Sequence, residues 1–130
     1  MKIYTNNKNN CADISLAVET EEKKFDRDPN FFLVQEVIER EISTPIITET
    51  WDDALNAVYD MIKQALENDL EEDGDYEGCD TRDKLFNSMR QLGAMTLIAG
   101  NGVYYFTAYG ETSNHDNIDW KITPIWAEFN

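Results

Sequence analysis

Residues 50–68, TWDDALNAVYDMIKQALEN, decide the fold of this chain. Thr50 followed three positions later by Asp53 makes a start that resembles a capping box. Apolar residues then recur three and four positions apart, as on one face of an α-helix, namely Trp51, Leu55, Val58, Tyr59, Ile62, Ala65 and Leu66. The pattern predicts an amphipathic helix at about residues 51–68, whose apolar face must be covered by another layer.

A second helix is predicted at about residues 81–92, beyond an acidic loop of residues 69–80. Asp80 or Thr81 can act as its N-cap, and Gly93 is typical of the position just after a helix end. Its apolar positions are Leu85, Phe86, Met89 and Leu92. We expect the two helices to be adjacent.

The C-terminal third is predicted to be β-structure. Residues 95–99 and 103–109 flank Asn101-Gly102, a pair that accepts the positive φ of a tight hairpin turn. A last strand is predicted at about residues 119–129, where Pro124 suggests a sheet edge or a bulge.

The N-terminal part is predicted to add further strands, at residues 2–5 and 13–19. Residues 31–42 fit both helical and strand spacing, but their dense β-branched and aromatic residues favour a strand. The order of strands, two helices and strands predicts one α+β domain over residues 1–130. In it, an antiparallel sheet of the N-terminal strands, the C-terminal hairpin and the last strand packs against the two helices.

The negative charge of the chain is concentrated in one region. Residues 49–80 contain twelve carboxylates and a single cation, Lys63, in a chain whose formal net charge is −15. A local negative field of this kind requires a positive partner. Candidates are a metal ion, a basic peptide, or the Lys and Arg surface that another protein offers to nucleic acid.

Part of this charge falls on the outer face of the first predicted helix, where only Lys63 offsets it. A solvated helix normally mixes charges of both signs, so a nearly one-sign face favours a cationic protein partner over a merely solubilising role. The helix and the loop together predict a partner-binding surface made of Asp53, Asp60, Glu67, Asp69, Glu71, Glu72, Asp73, Asp75 and Glu77.

The acidic loop also resembles part of an EF-hand calcium frame, with Gly74 at the sixth position. The frame departs from the usual pattern at Tyr76, at its last position, and in lacking a second hand. A solvated connector is the plain alternative. The candidate calcium ligands are Asp69, Glu71, Asp73, Asp75 and Asp80, and no other cofactor is expected.

Patterns for catalysis, direct nucleic-acid binding and membrane insertion are weak. His115, Asp116 and Ser113 are neighbours in one loop and cannot form a triad from there. The eleven lysines and arginines are scattered, and no apolar run approaches the ~20 residues of a membrane helix. Cys11 and Cys79 are predicted to be free thiols. We therefore expect a non-enzymatic cytoplasmic protein.

In size, acidity and clustered charge, the chain resembles the small proteins with which phages and mobile elements inhibit restriction and CRISPR nucleases. This resemblance in kind implies an anti-restriction or anti-CRISPR inhibitor that mimics DNA and binds a nuclease or another nucleic-acid-binding protein. The chain equally resembles acidic immunity proteins that neutralise nuclease toxins. A calcium-binding or small-ligand-binding module is a further alternative. The aromatic residues of the C-terminal strands also make a homodimer a possible assembly.

Overall fold

The computed structural model describes residues 2–5, 21–22, 27–39, 41–68, 76, 78–100, 103–111 and 116–128. The described elements are, in chain order, β1 (Lys2–Thr5), β2 (Glu21–Glu22), β3 (Phe31–Ile38), β4 (Glu41–Ile42), β5 (Ile46–Thr48), α1 (Trp51–Asn68), α2 (Arg82–Gln91), β6 (Met95–Gly100), β7 (Val103–Glu111) and β8 (Asn117–Glu128). The predicted α+β fold, both helices and the C-terminal hairpin are confirmed. The strand predicted at residues 13–19 lies outside the described residues.

Strand β8 organises the sheet. Along one side it pairs antiparallel with the whole of β3. Along the other side its first half pairs with β7 and its last residues pair with β1, both antiparallel. The β6–β7 hairpin, β4 and β5 extend this sheet by antiparallel pairs, and β2 pairs with β1 in parallel.

Strand β8 as a whole has neighbours on both sides. The sheet edge or bulge predicted at Pro124 is a local matter, because Pro124 pairs with Phe32 of β3 while neither β7 nor β1 pairs with it on the other side. The local environment explains how the proline is tolerated. The carbonyl of Ile125 accepts from the backbone N of Asn30, so by alternation the backbone of Pro124 points away from β3. On that side the pairing of β8 with β7 stops at Ile122, opposite Phe106, and its pairing with β1 starts at Trp126, opposite Tyr4. The missing N–H of Pro124 therefore faces the interval between these two paired stretches.

The strand predicted over residues 31–42 forms, but it is divided into two parts. Glu39, between β3 and β4, has a positive φ of 55°. Its backbone N donates to the carbonyl of Asn117 at 2.8 Å, and its Oε1 accepts from the backbone N of Asn117 at 2.7 Å. These two bonds fix the turn to the start of β8, and a left-handed backbone needs such support at a residue other than glycine.

Both helices cover the same face of the sheet. Helix α1 buries Ala54, Val58 and Ile62, and α2 buries Leu85, Phe86 and Met89. They pack on a sheet face that includes Trp120, Phe106 and Ile122. Trp51 anchors the start of α1, with its ring centroid 5.4 Å from Phe32 and 5.2 Å from Tyr104. Burial of each large apolar side chain contributes about 1.5–3 kcal/mol, so the core fixes which way each helix faces.

The second face of the sheet is buried along β3 and at Ile125 of β8. Leu33, Val37 and Ile125 point to this face by strand alternation and are at most 7% exposed. Gln35 lies between the first two and is 1% exposed, and among the described residues neither polar atom of its side-chain amide has a hydrogen-bond partner.

Candidate partner-binding surface

The outer face of α1 is set by how the helix begins. The hydroxyl of Thr50 accepts from the backbone N of Asp53 at 3.1 Å, as the capping pattern predicts. Asp52 and Asp53 lie in the first turn, where the helix dipole favours negative charge. With the apolar stripe fixed against the sheet, the intervening positions must face solvent.

Three acids form a row along this outer face. Asp53, Asp60 and Glu67 are all exposed and lie seven positions apart. At about 1.5 Å per residue, neighbours in the row are about 10.5 Å apart along the axis. Each seven-residue step turns the position by only about 20°, so the row is nearly straight. We call Asp53, Asp60 and Glu67 the acidic row; the structure brings these three predicted residues together.

Cations near the acidic row are engaged elsewhere. Arg82 of α2 places Nη1 2.9 Å from Oδ1 of Asp52 and 2.8 Å from Oδ1 of Asn56. The Nζ of Lys63 lies 5.9 Å from the ring centroid of Tyr59, in cation–π range. Within the described ranges, no lysine or arginine forms an ion pair with a member of the acidic row.

The other six predicted partner-binding residues continue the chain beyond α1 but lie outside the described residues, namely Asp69, Glu71, Glu72, Asp73, Asp75 and Glu77. The end of their loop is described, and it is anchored to both helices. The hydroxyl of Tyr59 donates to the carbonyl of Asp80 at 3.5 Å, and Sγ of Cys79 lies 3.3 Å from Oγ of Ser88. Cys79 is a free thiol. Residues 79 and 80 therefore lie against the helix pair.

Of the five calcium candidates, only Asp80 is described, and it has another partner. Its Oδ1 lies 3.1 Å from Nζ of Lys84, and this bond with the lysine charge lowers the pKa of Asp80. Thr81, not Asp80, caps α2: its hydroxyl accepts from the backbone N of Lys84 at 3.3 Å. Among the described residues, no three His, Cys, Asp or Glu side chains form a group that could hold a metal. Calcium binding at Asp69, Glu71, Asp73 and Asp75 stays a prediction.

The outer face of α2 has the opposite character. The helix carries Arg82, Lys84 and Arg90 against Asp83, an excess of two positive charges. The excess of negative charge therefore belongs to α1 and the loop and does not extend over the neighbouring helix. Sequence reasoning missed the bond from Arg82 to Asp52, because the two residues are 30 positions apart and only helix packing brings them together.

Comparison of the chain with protein-family models, curated proteins and solved structures finds no match. No helix in the described ranges is long and apolar enough to cross a membrane. His115 lies outside those ranges.

Proposed function

We propose that this chain is a non-enzymatic, cytoplasmic inhibitor that binds the basic nucleic-acid-binding surface of another protein. It docks through the acidic row of α1 and the loop of residues 69–80, and it competes there with DNA or RNA. The observation that carries the proposal is that Asp53, Asp60 and Glu67 are exposed in one line with no ion pair to a described cation.

An outer face that carries charges of one sign lowers the stability of the unbound protein. Like charges along a helix destabilise it by a few tenths of a kcal/mol per neighbouring pair. A cationic partner turns this unfavourable electrostatic energy into a favourable one, because its positive charges neutralise the row on docking. The same field speeds the approach of an oppositely charged surface and disfavours partners that are themselves acidic.

The charge density of the row indicates that α1 does not act alone. Its three charges span about 21 Å of helix axis at ~1.5 Å per residue. A single nucleic-acid strand carries one charge per about 3.4 Å, which is about six over the same length. Residues 69–77 carry six further acids, twice the roughly three charges by which the row falls short. The proposal therefore requires both the row and the loop in the interface.

Three variants and the wild-type chain test the proposal. The row variant changes Asp53→Asn, Asp60→Asn and Glu67→Gln, and the loop variant changes the six acids of residues 69–77 to Asn and Gln. The control variant changes two exposed aspartates and one exposed glutamate elsewhere, namely Asp83→Asn, Asp119→Asn and Glu41→Gln. The row and control variants have the same net charge, so they differ only in where the charge is removed.

Each immobilised variant is used to capture proteins from a cell lysate treated with nuclease to remove DNA and RNA. We expect wild type and control to capture the same basic nucleic-acid-binding protein and to release it when a DNA duplex is added. The row variant should capture less of it, and the loop variant should capture least. Equal capture by all four chains, or capture that a duplex does not reverse, would contradict the proposal.

A further inference from the structure

Three aromatic rings meet where α1 begins, and we call Phe32, Trp51 and Tyr104 the aromatic corner. Their ring centroids are 5.2–5.4 Å apart, and each pair of rings is inclined by 56–68°. Phe32 is only 3% exposed, whereas Trp51 and Tyr104 are partly exposed. Rings this close leave no space for a ligand among them. A ligand can therefore reach only the parts of Trp51 and Tyr104 that face solvent.

A carboxylate borders the aromatic corner. The hydroxyl of Tyr104 donates to Oδ1 of Asp28 at 3.2 Å. Burial of the phenol, followed by the charge of Asp28 and this hydrogen bond, raises the pKa of Tyr104. The phenol therefore keeps its proton at neutral pH and remains the donor. Since Asp28 is exposed, its charge lies at the rim of a partly exposed ring.

The cations of the described residues make their contacts elsewhere. Within these ranges, no lysine or arginine forms an ion pair with Asp28, and the cation–π contact of α1 joins Lys63 to Tyr59. Arg27, which precedes Asp28, donates to Oδ1 of Asn30 and to the backbone carbonyl of residue 127. The exposed parts of the aromatic corner and the carboxylate beside it are therefore accessible to a cation of another molecule.

A ring beside a carboxylate suits arginine better than lysine. The planar guanidinium stacks on aromatic faces and presents its donors in one plane, so it can contact a ring and a carboxylate together, whereas an ammonium is a compact and strongly hydrated point charge. In proteins that bind nucleic acids, arginine stacks on bases and forms bidentate pairs with phosphates. The aromatic corner and Asp28 offer the same two features, a flat π system and an anionic oxygen.

We propose that the aromatic corner and Asp28 together bind an arginine side chain from the nucleic-acid-binding surface of the partner. The guanidinium lies against the exposed parts of Trp51 and Tyr104 and donates to Asp28. The acidic row begins at Asp53, two residues after Trp51, so the two features lie at the same end of α1. The identity of the partner rests on the proposed function, whereas the preference for arginine can be tested without that partner.

The test follows the indole N–H signal of Trp51 by NMR while a tri-arginine or a tri-lysine peptide is added at equal ionic strength. The variant Trp51→Phe identifies the signal. Trp120 is an internal control, because it is fully buried and its Nε1 donates to Glu36 at 2.7 Å. We expect a saturable shift at Trp51, with an affinity for tri-arginine about two- to fivefold above that for tri-lysine.

Asp28→Asn tests the carboxylate, because an asparagine oxygen can still accept from Tyr104. Asp119→Asn is the matched control, since Asp119 is also exposed, makes the same change in charge, and pairs with Val37 at the far end of β3. We expect Asp28→Asn to weaken tri-arginine binding at Trp51 about two- to fivefold and Asp119→Asn to leave it unchanged.

Three results would overturn the proposal, namely no shift at Trp51, equal affinity for the two peptides, or equal weakening by Asp28→Asn and Asp119→Asn. Each of these results concerns the peptides alone. Capture of a basic protein through the acidic row and the loop is measured separately, so failure of the arginine site and failure of the proposed function are distinguishable.

Discussion

Helices α1 and α2 bury their inner sides in one core but expose different outer surfaces. Each is capped by a threonine hydroxyl that accepts from the third backbone N of the helix. Outside, α1 carries the acidic row, which forms no ion pair with a described lysine or arginine, while α2 carries an excess of two positive charges. The fold constrains the inner faces and leaves the outer faces free, so the proposed docking role of α1 would account for the difference between the two helices.

The largest effects should come from the inner faces and should be similar for the two helices. Ile62→Ala on α1 and Met89→Ala on α2 remove side chains that are at most 1% exposed. Each should lower the free energy of unfolding by about 2–5 kcal/mol, measured by urea denaturation. Asp60→Asn and Asp83→Asn on the outer faces should change it by less than about 0.5 kcal/mol. A large loss from Asp60→Asn would mean that the acidic row serves the fold.

The next effect concerns the caps. Thr50→Ala and Thr81→Ala each remove the hydroxyl that accepts from the first turn of a helix. Each should lower the free energy of unfolding by about 1 kcal/mol in the same denaturation experiment. The Ser replacements, which keep the hydroxyl, are the controls and should recover most of the loss. If Ser and Ala behave alike, the hydroxyl is not the source of the effect.

A smaller effect is predicted where the two helices meet. Arg82→Gln removes the cation that crosses from α2 to Asp52 and adds one unpaired acid to the outer face of α1. The pair is partly exposed, so the free energy of unfolding should fall by less than about 1 kcal/mol. Association with a cationic partner at low salt should become faster, because the negative field of α1 grows. Slower association would show that Arg82 itself contacts the partner.

The smallest predicted effect is the titration of Asp80. Its pKa is lowered chiefly by the hydrogen bond from Lys84 and by the charge of that lysine. A carboxyl whose folded pKa lies below its unfolded pKa adds stability above the unfolded value, and this contribution is lost as pH falls through the folded value. An NMR titration should show a pKa of Asp80 lowered from the ordinary aspartate value, and Lys84→Gln should raise that pKa again. No movement in the Lys84→Gln variant would remove the assigned cause.

Local patterns in the sequence were enough to predict both helices and the hairpin. The apolar spacing of residues 51–68 and the pair Asn101-Gly102 act over a few residues, so no tertiary information is needed. The exposure of Asp53, Asp60 and Glu67 follows from the same helical spacing. The acidic row was therefore as predictable as α1 itself.

Long-range pairing was not predictable in the same way. The central place of β8 depends on three partners from distant parts of the chain, whereas Pro124 by itself suggests an edge or a bulge. The neutralisation of Asp52 by Arg82 depends on how two helices pack. The positive φ of Glu39 depends on its bonds to Asn117. In each case the determining contact joins residues whose separation in sequence carries no local signal.

The most direct test of the account is the association rate of the captured partner with the row variant and with the control variant, measured at several ionic strengths. Both variants carry three fewer negative charges than wild type, so their net charges are equal. The account predicts that the row variant binds more slowly than the control at low salt and that the two rates converge as salt is added, because screening removes the field of the row. Equal rates for the two variants at every ionic strength would contradict it, since only total charge would then matter and the outer face of α1 would have no special role.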